Sequence, residues 1–374
     1  MKMGQKVLMI MLRGIGDIIM TFPAFEQLKT ILPDAKIYHL VGDDLKEIAE
    51  LNPVAETKTI TSKFRSIKDL LLGKKNLTII DLLFGSYILG IKEAIKLRQQ
   101  KFDIIINFHR DWRLHIFTFL VGGRIRIGFE GGMGSLFNTK VLRRREYEKL
   151  HEATKNIMLV NLLRQGGNKN GKWNTNIRYR FRTTEKHRKK VASILKAYDL
   201  GNKKLIGFVV GGGKWSRGHI NRRWPLKNWK KLIDILDERL MENYKIILFG
   251  GRNEVPTCHT LQIENQRRCI NLCNKLSLGE VVELMKKLSC VVTTDTGLMH
   301  LASGCTNVIA LFGPTSPKQF APLGKQHKII TKEISCSPCY IERESKKYKN
   351  CNNNKCMKKI SPKEVAHVIE RFCK

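Results

Sequence analysis

Residues 290–317 read CVVTTDTGLMHLASGCTNVIALFGPTSP, and this stretch decides which fold the sequence predicts. The β-branched run Val291–Thr293 predicts a strand, Leu298–Ala302 predicts a short helix, and Val308–Phe312 predicts a second strand. A strand, a helix and a second strand in this order are typical of one half-turn of a doubly wound α/β sheet. In such sheets, ligands bind at the carboxyl ends of the strands.

The turn between the first strand and the helix favours an anionic ligand. Thr294 or Asp295 can cap the helix, and Gly297 lets a ligand approach the backbone closely. The free N–H groups of the first helical turn then face the crevice. We interpret this turn as a seat for a diphosphate. A capped helix without any ligand is the simpler interpretation of the same residues.

The same stretch resembles the family-9 glycosyltransferases, the ADP-heptose:lipopolysaccharide heptosyltransferases. Their signature is a D-[ST]-G-x-x-H-x-A segment, followed by a strand and an FG-P-T turn. The turn is matched by residues 312–315, and the segment is matched by Asp295, Thr296, Gly297, His300 and Ala302. The resemblance extends over nearly the whole chain. It implies the GT-B architecture, with two facing Rossmann-like doubly wound domains in the α/β class.

A tight turn near the start of the chain contains the candidate catalytic residue. The predicted strand Lys6–Leu12 leads into RGIGD at residues 13–17, and a predicted helix runs from Ile18 to about Leu32. The turn lacks the third glycine of a dinucleotide fingerprint, and on its own it makes Asp17 a helix N-cap. The family's catalytic carboxylate lies in a G-x-[GD]-D turn of this kind. The resemblance therefore implies that Asp17 is the catalytic base.

A second group of candidates follows a buried-strand pattern later in the first half. Phe102–Phe108 predicts a strand, and the polar cluster HRDWR follows it at residues 109–113. This cluster has two possible roles: it contacts the acceptor, or it is a plain solvated loop. A further helix, predicted from His151, resembles the H-x-x-x-[KR]-N helix that closes the first domain in the family.

Three segments of the second half resemble the family's donor site. The predicted strand Ile206–Val210 ends in a glycine-rich loop that lacks the ending of a P-loop. Arg222 begins an R-R-W-P segment similar to the family's phosphate-binding [KR]-x-W-P motif, and Glu254 stands where the family often has a glutamate for the ribose hydroxyls. The resemblance implies donor contacts from Gly213, Lys214, Arg222, Glu254, Asp295, Thr296, Gly297 and His300.

Length and composition divide the chain into domains. A chain of 374 residues is long for one core, and residues 165–171 are rich in glycine and asparagine, as linkers are. We predict an N-terminal acceptor-binding domain over 1–165, a linker over 166–183 and a C-terminal donor-binding domain over 184–360. The last segment, 361–374, predicts a helix that packs back on the first domain.

Four of the ten cysteines form a spaced cluster. Cys336, Cys339, Cys351 and Cys356 have the spacing C-x2-C-x11-C-x4-C, which can close a tetrahedral zinc or an iron–sulfur site. The family commonly has a related cluster here, and the resemblance implies a structural role. A bound structural metal is one interpretation of the four, and plain packing of thiols is the other.

The charge predicts an anionic partner. Lysine and arginine number 68 against 33 acidic residues, a net charge of +35 that attracts nucleic acid or an anionic membrane surface. A solvated lysine-rich face is the alternative. We favour the membrane, because the family's acceptor is a phosphorylated glycolipid on the inner leaflet. No apolar run reaches the roughly 18 residues of a membrane span. We therefore expect a cytoplasmic chain, peripheral at the inner face of the inner membrane.

The resemblance implies inverting transfer of a heptose from ADP-heptose to the lipopolysaccharide core, with lipid A–Kdo or the core as acceptor. The sequence has no D-x-D motif, so we expect no metal in catalysis and expect Arg222 to meet the leaving diphosphate. One carboxylate, Asp17, is enough for an inverting displacement. The alternatives are another nucleotide-sugar donor, or a basic, zinc-clipped protein that binds nucleic acid.

Overall fold

Two parallel sheets, one in each half of the chain, form the framework of the protein. The computed structural model describes residues 4–61, 90–164, 178–211, 217–240, 243–324, 326–340 and 351–373. The chain divides into two units, Met1–Thr175 and Asn176–Lys374, and each unit has its own six-stranded sheet. The predicted α/β class is confirmed. Most of the predicted linker, 166–183, lies outside the described residues, so the domain boundaries stay a prediction.

The first sheet has the strand order β3-β2-β1-β4-β5-β6, with every pair parallel. The strands are β1 (Lys6–Ile10), β2 (Lys36–Gly42), β3 (Glu56–Ile60), β4 (Ile104–Asn107), β5 (Ile125–Phe129) and β6 (Lys140–Leu142). The central strands are almost continuously apolar, because parallel strands are covered on both faces. The order of the strands reverses between β1 and β4, which makes their carboxyl ends the topological switch point where ligands bind.

Short helices connect these strands, and the first predicted helix is interrupted. The helices are Ile15–Ile19, Phe22–Ile31, Lys46–Glu50, 90–98, Trp112–Val121, Arg144–Tyr147 and Glu152–Asn161, with 3-10 turns at Asp43–Leu45 and Gly134–Phe137. The sequence predicted one helix from Ile18 to Leu32. It breaks after Ile19, because Pro23 has no N–H for the preceding turn. The Thr21 hydroxyl instead donates to Ile18 O at 2.6 Å.

The second sheet repeats the same topology, with the order β12-β11-β10-β7-β8-β9 and all pairs parallel. The strands are β7 (Lys204–Val209), β8 (Tyr244–Phe249), β9 (Cys269–Asn271), β10 (Cys290–Thr294), β11 (Asn307–Leu311) and β12 (Lys328–Ile330). The helices are Glu185–Ala197, Leu226–Leu240, Val255–Glu264, Leu278–Met285, Gly297–Ser303, Pro317–Phe320, Lys355–Lys358 and Pro362–Cys373, with 3-10 turns at Arg217–Arg222 and Arg252–Glu254. The switch point of this unit lies between β7 and β10.

The C-terminal helix Pro362–Cys373 belongs to the core of the second unit. Its side chains Val365 and Ile369 are buried in one cluster with Leu236. The sequence analysis expected the segment 361–374 to pack back on the first domain. That expectation stays a prediction. The structure shows that the apolar face of the helix packs on the second sheet and its covering helix. Within the described residues, no helix is long and apolar enough to cross a bilayer.

His39 lies in β2 and is completely buried. Its ring packs on Phe25 with the centroids 4.6 Å apart and on Phe22 at 6.4 Å. Neither ring nitrogen has a hydrogen-bond partner among the residues that the structure describes. Burial lowers the pKa of His39 to about 3, because an imidazolium would lose its hydration here. The ring is therefore neutral at neutral pH.

This burial makes stability depend on pH. The folded pKa of His39 lies below the unfolded value of 6.5, so its contribution is fully present above that pH and is lost as the pH falls toward the folded value. Between about pH 7.5 and about pH 5 the free energy of unfolding should drop by about 2 kcal/mol through this residue. Equilibrium denaturation of the wild type and of His39→Leu at the two pH values measures the drop, which should shrink by that amount in the variant.

The control is His367→Leu, because His367 is exposed on the C-terminal helix. This variant should keep the pH dependence of the wild type. If His39→Leu also keeps it, the ring is not buried in its neutral form.

Candidate functional site

A hydrogen bond ties the two central strand ends of the second sheet together. Gly211 follows β7 and is buried. Thr294, the last residue of β10, donates its hydroxyl to Gly211 O at 2.6 Å. Because the strand order reverses between β7 and β10, this hydrogen bond spans the switch point. The two strand ends are therefore held in a fixed relation.

The carboxylate of Glu254 lies over Gly211. Glu254 is buried after β8, and its Oε2 accepts a hydrogen bond from Gly251 N at 3.0 Å. A Cβ at position 211 would lie 2.5 Å from Glu254 Cδ, far inside the normal contact distance. A side chain at position 211 would therefore displace this carboxylate. The structure thus brings the sequence-predicted Glu254 to the switch point.

Two consecutive arginines reach two different strand ends. Arg222 Nη1 lies 3.2 Å from Asp295 Oδ2, directly after β10, and both side chains are largely buried. Arg223 Nη2 lies 3.6 Å from Glu254 Oε1, after β8. Each arginine thereby holds one carboxylate at the edge of the sheet. The arrangement places a guanidinium at the switch point, in an orientation fixed by its ion pair.

Tyr340 completes the surroundings of Arg222. The guanidinium lies over the Tyr340 ring, 5.0 Å from its centroid. The ring is held there by the turn after β11, because the N–H groups of Cys339 and Tyr340 donate to Pro314 O at 3.0 and 2.8 Å. The Ser337 hydroxyl donates to Gly313 O at 2.6 Å in the same place. The sequence-matched turn therefore acts as the support of the arginine.

The helix after β10 is capped by Thr296. Its hydroxyl accepts a hydrogen bond from Met299 N at 3.4 Å, and the helix begins at Gly297. The prediction that Thr294 or Asp295 is the cap was wrong, because Thr294 is bound to the end of β7 and Asp295 to Arg222. With seven residues, the helix is short. The positive charge at the carboxyl edge of the second sheet therefore comes from Arg222 and Arg223 and not from the end of this helix.

His300 lies inside the second unit. It is buried, and its ring meets the edge of the Tyr179 ring with the centroids 6.1 Å apart. Burial also raises the pKa of Tyr179, so that phenol stays neutral. Gly213 and Lys214, the remaining donor-site predictions, lie outside the described residues.

The four cysteines of the predicted metal site are thiols in the structure. Burial first, and then the electrostatic influence of Cys339, Cys351 and Cys336, raise the pKa of Cys356 to about 11. Yet no group of three or more His, Cys, Asp or Glu side chains could hold a metal ion in the part of the chain that the structure describes. Cys356 is buried under the turn at Gly313. Cys336, Cys339 and Cys351 are half-buried thiols, and the zinc or iron–sulfur site stays a prediction.

In the first unit, Asp17 lies just beyond the end of β1. Gly14 is the N-cap of the helix Ile15–Ile19, and Asp17 is its third residue. Asp17 is half-buried. A Cβ on Gly14 would lie 3.8 Å from Asp17 Oδ2, so the carboxylate turns toward the loop. The alternative that Asp17 is an N-cap does not hold.

The polar cluster at residues 109–113 mainly builds its own loop. His109 is buried, and its Nε2 accepts a hydrogen bond from Leu12 N at 2.8 Å, which ties the loop after β1 to the loop after β4. Asp111 caps the following helix by accepting from Arg113 N at 3.1 Å. Burial acts to raise the pKa of Asp111, but hydrogen bonds and charge from Arg113 hold it below its ordinary value. Both residues therefore have structural roles.

A basic cluster beside this loop was not predicted. Arg110 Nη2 lies 3.4 Å from Glu152 Oε2, and the buried Lys155 Nζ lies 2.6 Å from Glu152 Oε1. The Arg110 guanidinium also lies 4.9 and 5.1 Å from the ring centroids of Phe129 and Tyr147. Two cations thus share the carboxylate of Glu152. The match to the family's H-x-x-x-[KR]-N helix was the sequence signal that could have revealed the cluster.

Comparison with known proteins identifies relatives in sequence. The family model for glycosyltransferase family 9 (heptosyltransferase) matches residues 92–350. A lipooligosaccharide heptosyltransferase 2 from Haemophilus influenzae is 35% identical over 136 residues, which are 35% of this chain and 37% of that protein. The match thus spans little more than a third of the length of this curated relative.

Solved structures share the fold over the whole chain. A glycosyltransferase of family 9 from Veillonella parvula has a TM-score of 0.74 at 22% identity, covering 100% of this chain and 98% of its own. The Escherichia coli ADP-heptose LPS heptosyltransferase II has a TM-score of 0.71 at 18% identity, with 98% of both chains covered. The predicted fold class, α/β with two Rossmann-like domains of the GT-B kind, is confirmed.

Gly211→Ala tests the position of the Glu254 carboxylate. The added Cβ overlaps that carboxylate, so we expect the free energy of unfolding to fall by about 1–3 kcal/mol. In a Glu254→Ala background the obstacle is gone, and the same change should cost clearly less. Equilibrium denaturation of the four proteins gives this double-mutant cycle.

Gly201→Ala is the matched control, because a Cβ at Gly201 meets nothing within 4 Å. Its stability should stay close to that of the wild type. Strictly additive costs in the cycle would show that Glu254 does not cover Gly211.

Proposed function

Because the chain belongs to glycosyltransferase family 9, we propose that it transfers a heptose from ADP-heptose to the inner core of lipopolysaccharide. One observation carries the proposal: the second unit holds the largely buried, ion-paired guanidinium of Arg222 at its topological switch point. That is where a doubly wound sheet binds the phosphates of a nucleotide. The name of the Escherichia coli structural relative supports ADP-heptose as the donor.

The donor is proposed to bind at the strand ends of the second unit. Arg222 contacts the diphosphate. Donor contacts from Gly213 and Lys214, which lie outside the described residues, are part of the same proposal. Glu254 accepts hydrogen bonds from the ribose hydroxyls, since its carboxylate is fixed over Gly211. The turn with Asp295, Thr296 and Gly297 closes the site on the other side of the switch point. His300 positions this turn from below, because it is buried against Tyr179.

Asp17 is proposed as the general base. Its carboxylate takes the proton from an acceptor hydroxyl, while that oxygen attacks the anomeric carbon of the heptose. The bond from the anomeric carbon to the β-phosphate oxygen breaks, and ADP leaves with the electron pair. One displacement inverts the anomeric configuration. The negative charge that develops on ADP is met by Arg222, so the reaction as proposed needs no metal ion.

The acceptor is proposed to be an anionic glycolipid, the lipopolysaccharide core or lipid A–Kdo, at the inner face of the inner membrane. In the first unit, Arg110 and Lys155 carry one more charge than the carboxylate of Glu152 that they share. The chain as a whole carries +35. Such an excess attracts phosphorylated lipid and an anionic membrane surface. The protein would then act in the cytoplasm as a peripheral membrane enzyme.

Two other functions make different predictions. A transferase for another nucleotide sugar would respond to that donor in a thermal-shift panel, and not to ADP-heptose. A nucleic-acid-binding protein would retard DNA or RNA in gels in a steeply salt-dependent way and would transfer no sugar. The two assays together separate all three functions.

Replacement of Arg222 tests the donor site. Arg222→Met removes the charged hydrogen bonds to the diphosphate and should weaken ADP binding about ten- to hundredfold. Arg222→Lys keeps the charge but loses the planar, two-pronged guanidinium, so its affinity for ADP should lie between those of the wild type and Arg222→Met. Isothermal titration with ADP measures both. Arg239→Met, in a surface pair with Glu370, is the control and should bind as the wild type does. Wild-type affinity in Arg222→Met would remove this residue from the donor site.

Replacement of Asp17 tests the base. Asp17→Asn keeps the shape of the side chain and loses its basicity, so transfer should slow by about 10²–10⁴-fold. ADP affinity should not change, since Asp17 is not a donor residue. Asp34→Asn, at an exposed acid of the same unit, is the control. Normal turnover of Asp17→Asn would show that Asp17 is not the general base, whether or not ADP still binds.

A further inference from the structure

Large apolar side chains are exposed together on the first unit. Met133 is 83% exposed, Leu136 82%, Trp112 50% and Phe119 46%. Trp112 and Phe119 lie on the helix after β4, and Met133 and Leu136 lie in the connection after β5. We name these four side chains the apolar patch. Clustered exposure of this kind marks an interaction surface more often than isolated exposure does.

Backbone contacts hold the two halves of the apolar patch side by side. A Cβ on Gly134 would lie 2.8 Å from the Cα of Trp112, so the 3-10 turn Gly134–Phe137 rests directly on the helix. At the other end of this contact, the rings of Phe119 and Phe137 lie 5.3 Å apart between centroids. The exposed side chains therefore stand on a rigid support.

Arginines lie on one side of the apolar patch and near the connection after β5. The Arg126 guanidinium lies 5.3 Å from the Phe119 ring centroid, and its Nε donates to Phe137 O at 2.7 Å. Arg144 N donates to Glu130 Oε2 at 2.7 Å, which brings the exposed run Arg143–Arg145 beside the connection after β5. Residues 90–164 carry 15 lysines and arginines against seven acidic residues. The surroundings are thus strongly cationic.

We propose that the apolar patch is the surface by which the protein docks on an anionic lipid bilayer. Leucine, methionine and tryptophan gain from entering the interface between headgroups and acyl chains. The arginines gain from the anionic headgroups, and Arg126 and Trp112 are side chain types that favour this layer. This charge complementarity distinguishes a bilayer from an uncharged apolar partner.

The position of the apolar patch fits the proposed function. The biological role of this surface rests on that function. Trp112 follows the carboxyl end of β4, and Met133 follows that of β5. In a parallel sheet these ends lie at the same edge as the end of β1, where Asp17 is found. Docking through the patch would present the catalytic edge of the first unit to lipid-linked acceptors.

Vesicle co-sedimentation of the full chain tests the proposal. Vesicles of phosphatidylglycerol and phosphatidylethanolamine should bind the wild type, and vesicles of phosphatidylcholine should bind it much less. Met133→Ser/Leu136→Ser should lower the partition constant about ten- to hundredfold, because two inserted apolar side chains are lost. Both positions are so exposed that folding is unaffected. Tyr198→Ser/Ile263→Ser, which removes two exposed apolar side chains of the second unit, should bind as the wild type does.

The charge contribution has its own variant. Arg143→Gln/Arg145→Gln should weaken binding to the anionic vesicles about fivefold per arginine, and added salt should reduce the difference. Wild-type partition of Met133→Ser/Leu136→Ser overturns the proposal, as does equal binding to both kinds of vesicle. The proposal is also overturned if the wild type is a dimer in solution and Met133→Ser/Leu136→Ser alone is a monomer, because a second copy then covers the patch.

A readout away from membranes separates this inference from the proposed function. Transfer to a deacylated, water-soluble acceptor should be equal in the wild type and in Met133→Ser/Leu136→Ser, whereas transfer to acceptor in vesicles should fall in the variant. If the wild type transfers nothing but still binds anionic vesicles through the patch, the function fails and the surface stands. If transfer to vesicle-borne acceptor is unchanged in the variant, the surface proposal fails alone.

Discussion

The site depends on hydrogen bonds that cross the switch point of each sheet. Where the strand order reverses, the loops diverge to opposite faces, and backbone groups at the strand ends lose their neighbours in the ladder. In the second unit the Thr294 hydroxyl binds Gly211 O, and in the first the His109 ring accepts from Leu12 N. Both partners are buried, so loss of either bond leaves an unsatisfied group at a cost of about 1–3 kcal/mol. The crevice can stay open for a ligand because side chains, and not ladder bonds, hold its walls.

Electrostatics at the second switch point follow from this support. Asp295 comes directly after Thr294, and Glu254 lies over Gly211. The hydrogen bond between Thr294 and Gly211 therefore positions both carboxylates. A buried carboxylate alone would be costly, and Arg222 and Arg223 offset that cost by pairing with one acid each. The pairs also fix the guanidinium groups. A diphosphate would therefore meet cations that need no reorganisation, which is the condition for strong stabilisation of a leaving group.

Local patterns in the sequence were enough for the central elements and not for their tertiary partners. The strand–helix–strand stretch from Cys290 was predicted to within one residue, because glycines and β-branched runs act locally. The helix predicted from Ile18 begins instead at Ile15, so Asp17 lies inside its first turn. The helix cap at Thr296 was missed, since Thr294 was already engaged by a residue 83 positions away. The Arg110–Lys155 cluster was missed for the same reason, because its members meet only through the fold. The cysteine spacing predicted a metal site, and this stays a prediction because spacing alone does not fix the direction of side chains.

The excess of positive charge has a different meaning once the fold is known. A surface that binds nucleic acid combines cations with flat aromatic rings, because every base offers a face for stacking. Phosphate backbones give no gain to an exposed leucine or methionine. Among the described apolar side chains of the first unit, Leu136 and Met133 are the most exposed, and they lie near Arg126 and Arg143–Arg145. An anionic bilayer stabilises both kinds of side chain: its hydrocarbon layer takes up the apolar side chains, and its headgroups attract the arginines. The combination therefore favours a lipid surface over nucleic acid, which the charge alone could not decide.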